Sequence, residues 1–346
     1  MAKRWVNRPE GSTWGDFGED DQLGRLNLVT REKRLQGLAE AVEGIAFCLS
    51  LPLDLPGGNA MNPRRHPPVL RPTLRPDAVN FVTTLGPEDT DVLCDDLAIL
   101  HLQYSTQWDA LSHVGSLFDA DGDGVAERVF YNGYRAGEHI TGPTDMADAG
   151  IGTAMKPAST SRAGALGVEN IAASAVQGRA VMIDLHAHYG DTRHLVGYDD
   201  LMRVIEAEGA EVETGDMVCL HTGLAEVILS MGGTPDPDRL HGSCAVLNGR
   251  DARLRQWITD SGIAALIADN YAVESLPAEP GDGCCSSLPL HEHCLFKLGL
   301  PLGELWHLTP LAAWLKAHGR TRFLLTAPAL RLPGAVGSPV TPVATV

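Results

Sequence analysis

The chain has 346 residues, 44% of them hydrophobic and 21% charged, so it can bury a core and disorder is not expected. Its net charge of −17 argues against nucleic-acid binding, because such proteins usually carry the opposite sign. An apolar run of about 18 residues, the length of a membrane span, does not occur, so no membrane association is predicted. The basic start lacks the apolar region of a signal peptide, and the seven cysteines lack paired spacings, which favours reduced thiols and a cytoplasmic location.

The first half of the chain is predicted to be rich in strands and loops. Residues 1–30 hold many Gly, Asp and Asn and few apolar runs, so we expect an extended N-terminal arm. Thr30 is a plausible N-cap, and the prolines and arginines of 55–78 predict a long loop over a site. The elements predicted here are a helix over 31–43 and strands over 45–53, 79–85 and 97–105.

Strands and helices alternate in the second half, which indicates an α/β arrangement. Thr309 is predicted as an N-cap, with Pro310 at the first helical position. We find no clean boundary, so one domain is expected over 1–346. The predicted elements are strands over 180–185, 216–222, 264–268 and 322–328, and helices over 199–208, 250–261 and 309–318.

Polar side chains cluster between Gln103 and His113. Ser105, Gln107 and Asp109 alternate, which places all three on one face of a strand. Oxygen and nitrogen donors on one face can hold a divalent cation and leave a histidine free to move protons. Asp109 and His113 taken singly are also consistent with a turn aspartate and a core histidine.

A second group follows far along the chain, where His291 and His293 flank a glutamate and Glu304 comes thirteen residues after His291. A histidine and a carboxylate brought back to the Asp109 strand would complete a set of metal ligands. The alternative, slightly favoured by the residues alone, is a charged helix start with exposed histidines.

A third motif places Asp184, His186 and His188 at alternating positions, which predicts one face of a strand. An H-x-H pair of this kind occurs at metal sites in hydrolases. The motif is short, so a purely structural role is the stronger interpretation.

The segment 103–113 resembles the signature H-x-G-T-H-x-D-x-P-x-H of the metal-dependent cyclase family, which includes bacterial kynurenine formamidase and isatin hydrolase. Thr106, Asp109 and His113 match, whereas Gln103 and Gln107 stand where the signature has histidines. The resemblance is to a longer subfamily in which glutamine replaces both of these histidines. Further matching segments, in order, are Trp14–Leu28, Asp216–Gly223, Asp269–Glu274, Leu290–His291 with Glu304, and Gly334–Pro342.

This resemblance implies an α/β fold of the swivelling β/β/α type, with a mixed, partly barrel-like sheet flanked by helices. It implies a general acid/base at His113 and one divalent ion. The glutamines are weaker, harder donors than imidazole, so the expected ion, Mn²⁺ or Zn²⁺, shifts from zinc towards manganese. It also implies a homodimer or homotetramer. The ligands it implies are Asp109, Gln103, Gln107, His291 and Glu304.

The function expected is hydrolysis of a carbon–nitrogen bond in a cyclic amide, imide or aryl formamide. Trp14 and Trp108 are predicted as apolar walls for a small flat substrate, although a structural role is equally consistent, and His221 as a substrate contact. Hydrolysis of a lactone, a dehydration or a ring closure could use the same polarised carbonyl. A different class also stays open, a degenerate scaffold that binds a small molecule without turnover.

Overall fold

The body of the protein is built around a nine-stranded sheet. It is described here from a computed structural model, in which residues 4–150, 158–281, 283 and 285–346 are described. The strands in chain order are β1 (Ala46–Cys48), β2 (Gln107–Asp109), β3 (Gln177–Asp184), β4 (Met217–His221), β5 (Ala265–Ala268), β6 (Leu302–Glu304), β7 (Arg322–Thr326), β8 (Gly337–Pro339) and β9 (Val343–Thr345). Their order across the sheet is β1-β9-β7-β3-β4-β5-β6-β2-β8.

The four central strands, β3 to β6, run parallel, and the strands on either side pair antiparallel. The carboxyl ends of β3, β4, β5 and β6 therefore meet at one edge of the sheet. The sheet curls into a half-barrel flanked by helices, which confirms the predicted mixed, partly barrel-like α/β fold.

Helices connect and cover these strands. The α-helices are α1 (Arg31–Ala39), α2 (Val168–Ala173), α3 (Leu185–Tyr189), α4 (Tyr198–Glu208), α5 (Leu224–Ser230), α6 (Pro237–Gly242), α7 (Ala252–Ser261), α8 (Pro289–His291) and α9 (Thr309–Ala317). Shorter 3₁₀ segments occur at Gly24–Leu28, Tyr131–Gly133 and Met146–Asp148, and a π-helix spans Glu292–Lys297. Within the described ranges, no helix is both long and apolar enough to cross a membrane.

Short paired strands lie outside the main sheet. The pairs are Val69–Pro72 with Asp96–Ile99, Phe81–Thr84 with Val92–Cys94, Ser116–Phe118 with Glu127–Val129, Ile140–Thr141 with Arg162–Ala163, and His194–Val196 with Ala245–Leu247. The first two pairs belong to one excursion of the chain, residues 69–99, which we call the β-ribbon.

The sheet is buried on both faces, as β4 shows. Val218 and Leu220 belong to one hydrophobic cluster, and Met217 and Cys219 belong to another. Alternate residues of a strand point to opposite faces, so each cluster fills one side of the sheet. This explains why the central strands read as continuous apolar runs rather than alternating ones.

Residues 4–30 lie against this body and are anchored by buried side chains. The Trp14 ring is fully buried, and the Arg25 guanidinium donates to the carbonyl oxygen of Ile258 at 2.7 Å. The segment was expected to be extended, and it includes the 3₁₀ turn Gly24–Leu28.

Most predicted elements of the second half match observed ones within two or three residues, including α4, α7 and α9. In the first half, α1 ends at Ala39, earlier than predicted, although Thr30 caps it as expected by accepting from the Lys33 amide. The strand predicted over 97–105 is wrong in extent: the chain turns at His101, and a separate strand, β2, begins at Gln107.

Two local predictions are wrong. Thr309 is the first residue of α9 rather than its cap, and its hydroxyl contacts His221 instead. His186 and His188 do not continue a strand, because β3 ends at Asp184 and its carboxylate caps α3 by accepting from the Ala187 amide. Residues two apart on a helix do not share a face, so the H-x-H pair is not presented together.

Candidate metal centre

The pairing of β2 with β6 brings three polar side chains together. Glu304 lies opposite Gln107 in the antiparallel register, and Asp109 follows Gln107 on the same face of β2. The Gln107 amide nitrogen donates to Asp109 Oδ1 at 3.1 Å and to Glu304 Oε2 at 3.2 Å. Side chains almost two hundred residues apart in the sequence therefore meet, as the family resemblance implies.

His291 completes this group from the end of α8. Its Nε2 lies 3.2 Å from Glu304 Oε1 and 3.8 Å from Asp109 Oδ2. All three side chains are buried, so the alternative of exposed histidines is wrong for His291. One ligand atom from each of Asp109, His291 and Glu304 lies within 4.8 Å of the others. We call these three residues the acid–histidine cluster.

Glu274 orients His291, and sequence reasoning assigned it no role. Its carboxylate lies 2.8 Å from His291 Nδ1 and also accepts from the backbone amides of Leu290 and His291. A carboxylate behind a ligating histidine fixes the ring and leaves the other nitrogen facing the metal. Ala272 and Val273, with φ of 71° and 58°, turn the chain just before this glutamate. Left-handed backbone at a β-branched residue is costly, and such strain clusters at functional sites.

The charged groups of the cluster lie close enough to shift one another's pKa. Burial raises the pKa of Asp109, with Glu304 adding to the rise and His113 opposing it. Burial alone would raise the pKa of Glu304, but the hydrogen bond and charge of His291 lower it below its usual range. Burial alone would lower the pKa of His291, but hydrogen bonds with Glu274 and Glu304 raise it to about 10. Because carboxylates outnumber cationic groups in the cluster, a positive charge between these side chains is favoured.

A divalent cation fits the donor set. Two carboxylates and an imidazole are typical ligands of Zn²⁺ and Mn²⁺, and Asp109 Oδ2 is buried with no hydrogen-bond partner among the described residues. Gln107, a predicted ligand, reaches the cluster with its amide nitrogen, which cannot bind a cation. Its Oε1 is likewise buried without a partner there, so rotating the amide by half a turn would present the carbonyl oxygen to an ion.

His113 lies at the half-buried edge of the cluster. The chain turns after β2, with the His113 amide donating to the Ala110 carbonyl, and this brings its Nε2 to 3.9 Å from Asp109 Oδ1. Gln103, also a predicted ligand, lies behind it, with Nε2 3.5 Å from His113 Nδ1. The structure therefore places Gln103 against the histidine. A Cβ at Gly337 would lie 2.5 Å from this amide nitrogen, so a larger residue there would require the Gln103 side chain to shift.

Arg65 adds a positive charge at the same edge. Its guanidinium donates to the Gln103 carbonyl oxygen at 2.6 Å and lies close enough to lower the pKa of both Asp109 and Glu304. The sequence analysis included this residue only among the arginines of the loop predicted over 55–78. The loop's basic composition was the signal that could have singled it out.

The two tryptophans predicted as substrate walls lie in the core. Trp108 points to the opposite face of β2, packs edge-on against Trp306 and donates to the Ala327 carbonyl. Trp14 packs against Phe296 and donates to its carbonyl oxygen. Both rings are fully buried, so the structure does not present either as the wall of an open site.

His221 also lies away from the acid–histidine cluster, farther along the same sheet edge. Its Nδ1 is 2.7 Å from Asp184 Oδ1, and its Nε2 is 3.0 Å from the Thr309 hydroxyl. Burial alone would lower the pKa of His221, but the hydrogen bond with Asp184 raises it. Asp184, His186 and His221 also lie close enough to hold an ion, but both nitrogens of His221 already have partners. This group therefore fits a cation less well than the acid–histidine cluster.

The sequence matches the family model described as "Putative cyclase" over residues 49–275. The matched range begins before β2 and ends just beyond Glu274. The chain therefore belongs to the cyclase family. No curated protein matches it.

Solved structures agree with this assignment. The chain is 28% identical to a protein described as a novel cyclase, with 97% of each chain covered and a TM-score of 0.73. It is 14% identical to isatin hydrolase A from Labrenzia aggregata, over 91% of this chain and 98% of that one, with a TM-score of 0.53. Isatin hydrolase A from Ralstonia solanacearum is also 14% identical, over 91% and 97%, with a TM-score of 0.54. The two isatin hydrolases show a shared fold.

Proposed function

We propose that this protein is a metal-dependent hydrolase that cleaves a carbon–nitrogen bond in a cyclic amide, imide or aryl formamide, using one Mn²⁺ or Zn²⁺ ion. The observation that carries the proposal is the buried set of Asp109, His291 and Glu304, whose ligand atoms converge within 4.8 Å. The family includes cyclases, and structural neighbours named isatin hydrolases support hydrolysis of a cyclic amide.

Different residues of the site can carry out different steps of the hydrolysis. A divalent ion held by the cluster would polarise the substrate carbonyl and make water more acidic. His113 takes the proton of the attacking water and returns it to the nitrogen as the carbon–nitrogen bond breaks. The products are a carboxylic acid and an amine, or a carboxylic acid and an amide where the substrate is an imide, and water is the only co-reactant. Arg65 stabilises the negative charge that develops on the carbonyl oxygen.

The proposal is tested by loading purified protein with Mn²⁺ or Zn²⁺, measuring bound metal by mass spectrometry, and screening cyclic amides, imides, aryl formamides and lactones. We expect about one ion per chain. Asp109→Ala should abolish both binding and turnover. His186→Ala is the matched control, because this histidine belongs to a second group of described residues that could hold an ion. Loss of metal in the control but not in Asp109→Ala would place the ion elsewhere and contradict the proposal.

A second function, binding of a small molecule without metal or turnover, is favoured by one observation. The Gln107 amide nitrogen donates to the carboxylates of both Asp109 and Glu304. It therefore takes the place between them that a cation would otherwise fill. A protein that takes up no ion from excess Mn²⁺ or Zn²⁺, yet keeps its melting temperature in a chelator, would support this binder. Uptake of one ion would exclude it.

A further inference from the structure

A cavity of about 370 Å³ lies apart from the acid–histidine cluster, beside the end of β3. Its lining comes from β3, α3, the carboxyl end of α4, α9 and the chain that leads into β7, and we call it the β3–α9 cavity. In the sheet, β4 and β5 separate β3 from β6, so the cavity lies roughly 14 Å from the cluster. Its volume falls within the range of pockets that bind small molecules.

One part of the lining is acidic. Asp184 and Glu208 both border the cavity, at the ends of β3 and α4. The His221 ring and the Ala187 amide contact Oδ1 of Asp184, which leaves its Oδ2 without a hydrogen-bond partner among the described residues. Glu208 accepts from the Asp184 amide at 3.0 Å and lies 3.5 Å from His188 Nε2, and burial raises its pKa. The free carbonyl groups at the end of α4 add a partial negative charge, so this part of the cavity favours a cation.

Another part of the lining is basic. Lys316 comes from the last turn of α9, and Arg320 from the chain before β7. Arg320 pairs with Glu40, whereas Lys316 has no ion-pair partner in the part of the chain that the structure describes. Within the same part of the chain, no ion pair joins the basic groups of the lining to the acidic ones. Both sets of charges therefore remain available to a ligand that carries the two opposite charges itself.

The rest of the lining is largely apolar. Met182, Ala312 and Leu315 are buried and border the cavity. An apolar lining with a few polar groups is typical of a small-molecule site, in which the apolar surface packs the hydrocarbon part and the polar groups fix its orientation. The ligand that matches this lining has a hydrocarbon group, an ammonium group and a carboxylate.

We propose that the β3–α9 cavity binds a free amino acid with an apolar side chain. The ammonium group lies against Asp184 and Glu208, and the carboxylate lies against Lys316. Because Lys316 is exposed and its stem is flexible, its ammonium group can move onto the carboxylate. A ligand with a single charge leaves one of the two sets without a partner. Binding at this site needs neither the metal nor the reaction proposed above.

Isothermal titration calorimetry of the full chain with L-phenylalanine tests the site. We expect one molecule bound per chain, in the micromolar to millimolar range. Hydrocinnamate lacks the ammonium group and phenethylamine lacks the carboxylate, so each should bind at least about tenfold more weakly. Asp109→Ala should bind L-phenylalanine as the wild type does. No binding of L-phenylalanine, equal affinities for all three compounds, or loss of binding in Asp109→Ala would overturn the inference, the last by placing the ligand at the metal centre.

Two variants assign each end of the ligand. Glu208→Gln should raise the dissociation constant of L-phenylalanine at least about tenfold and leave that of hydrocinnamate unchanged. Lys316→Gln should weaken L-phenylalanine to the same extent and leave phenethylamine unchanged. Glu206→Gln is the matched control, because Glu206 lies on the same helix as Glu208 but is exposed and does not line the cavity. Circular dichroism checks the fold of each variant. Folded cavity variants that bind L-phenylalanine as tightly as the control would contradict the proposed site.

Discussion

Gln107→Glu separates the role of the amide from that of a cation, because the substitution has opposite effects in the two states. In the metal-free protein the amide nitrogen donates to two buried carboxylates, at 3.1 and 3.2 Å. Hydrogen bonds to charged groups contribute ~1.5–3 kcal/mol each, so losing both costs about 3–6 kcal/mol. At ~2–4 °C per kcal/mol for a large domain, the melting temperature in a chelator should fall by at least roughly 6 °C.

The fall in the melting temperature of Gln107→Glu should depend on the pH and on whether a metal is bound. In the folded variant the new carboxyl lies between two others, so its pKa is raised above the value in the unfolded chain. It therefore destabilises the metal-free fold little in acid and increasingly as the pH rises from about 5 to 8. With metal the same carboxylate becomes a further ligand, and an ion at a hundred times its Kd adds about 2.7 kcal/mol. Differential scanning fluorimetry across pH, with and without Mn²⁺ or Zn²⁺, measures both effects.

Gln107→Met is the control, because it removes the same amide without adding a charge. It should be destabilised without the pH dependence and without a gain in metal affinity. The reasoning would be refuted if metal-free Gln107→Glu melted like the wild type at pH 8, or if metal stabilised both proteins equally.

Four further predictions concern the same centre. Asp109→Ala should lose the metal while keeping its circular dichroism spectrum, and a metal-free variant with full turnover would contradict the mechanism. His113→Ala should keep the metal, measured by mass spectrometry, while its turnover falls ~10²–10⁴-fold; loss of metal would make His113 a ligand instead. Glu274→Gln should weaken metal binding ~10–100-fold by calorimetry, because it loosens His291, whereas unchanged affinity would deny it this role. Metal-free protein should become less stable as the pH rises from about 7 towards 10. The reason is that the fold raises the pKa of His291, so the proton that stabilises the fold is lost over that range. A melting temperature that does not change between these pH values would rule this out.

The sequence alone determined the part of the site that lies within one strand. The two-residue period of a strand puts Gln107 and Asp109 on one face, and the same period puts Trp108 on the other face, away from the cluster. The meeting with Glu304 depends on antiparallel pairing across almost two hundred residues. No local pattern encodes that pairing, so it was reached only through the family resemblance.

Other parts of the structure could not be predicted from the sequence, for physical reasons. Glu274 is one acid among many in the sequence, and only the left-handed turn before it directs its carboxylate onto His291. The Asp184 motif misled because Asp184 is both the last residue of β3 and the N-cap of α3, so the two histidines that follow it lie on a helix. The prolines of 55–78 predicted a loop, but a strand within it, Val69–Pro72, pairs with a later strand, Asp96–Ile99, that no local pattern connects to it.

The β-ribbon leaves the body and returns to it at nearly the same point, since the amide of His66 donates to Nδ1 of His101 at 3.2 Å. An insertion with adjoining ends can be lengthened, shortened or exchanged without altering the strands on either side. Changes in this segment can therefore alter the surface of the molecule while the strands that carry the acid–histidine cluster stay in place, and an engineer can graft a different ribbon at the same junction.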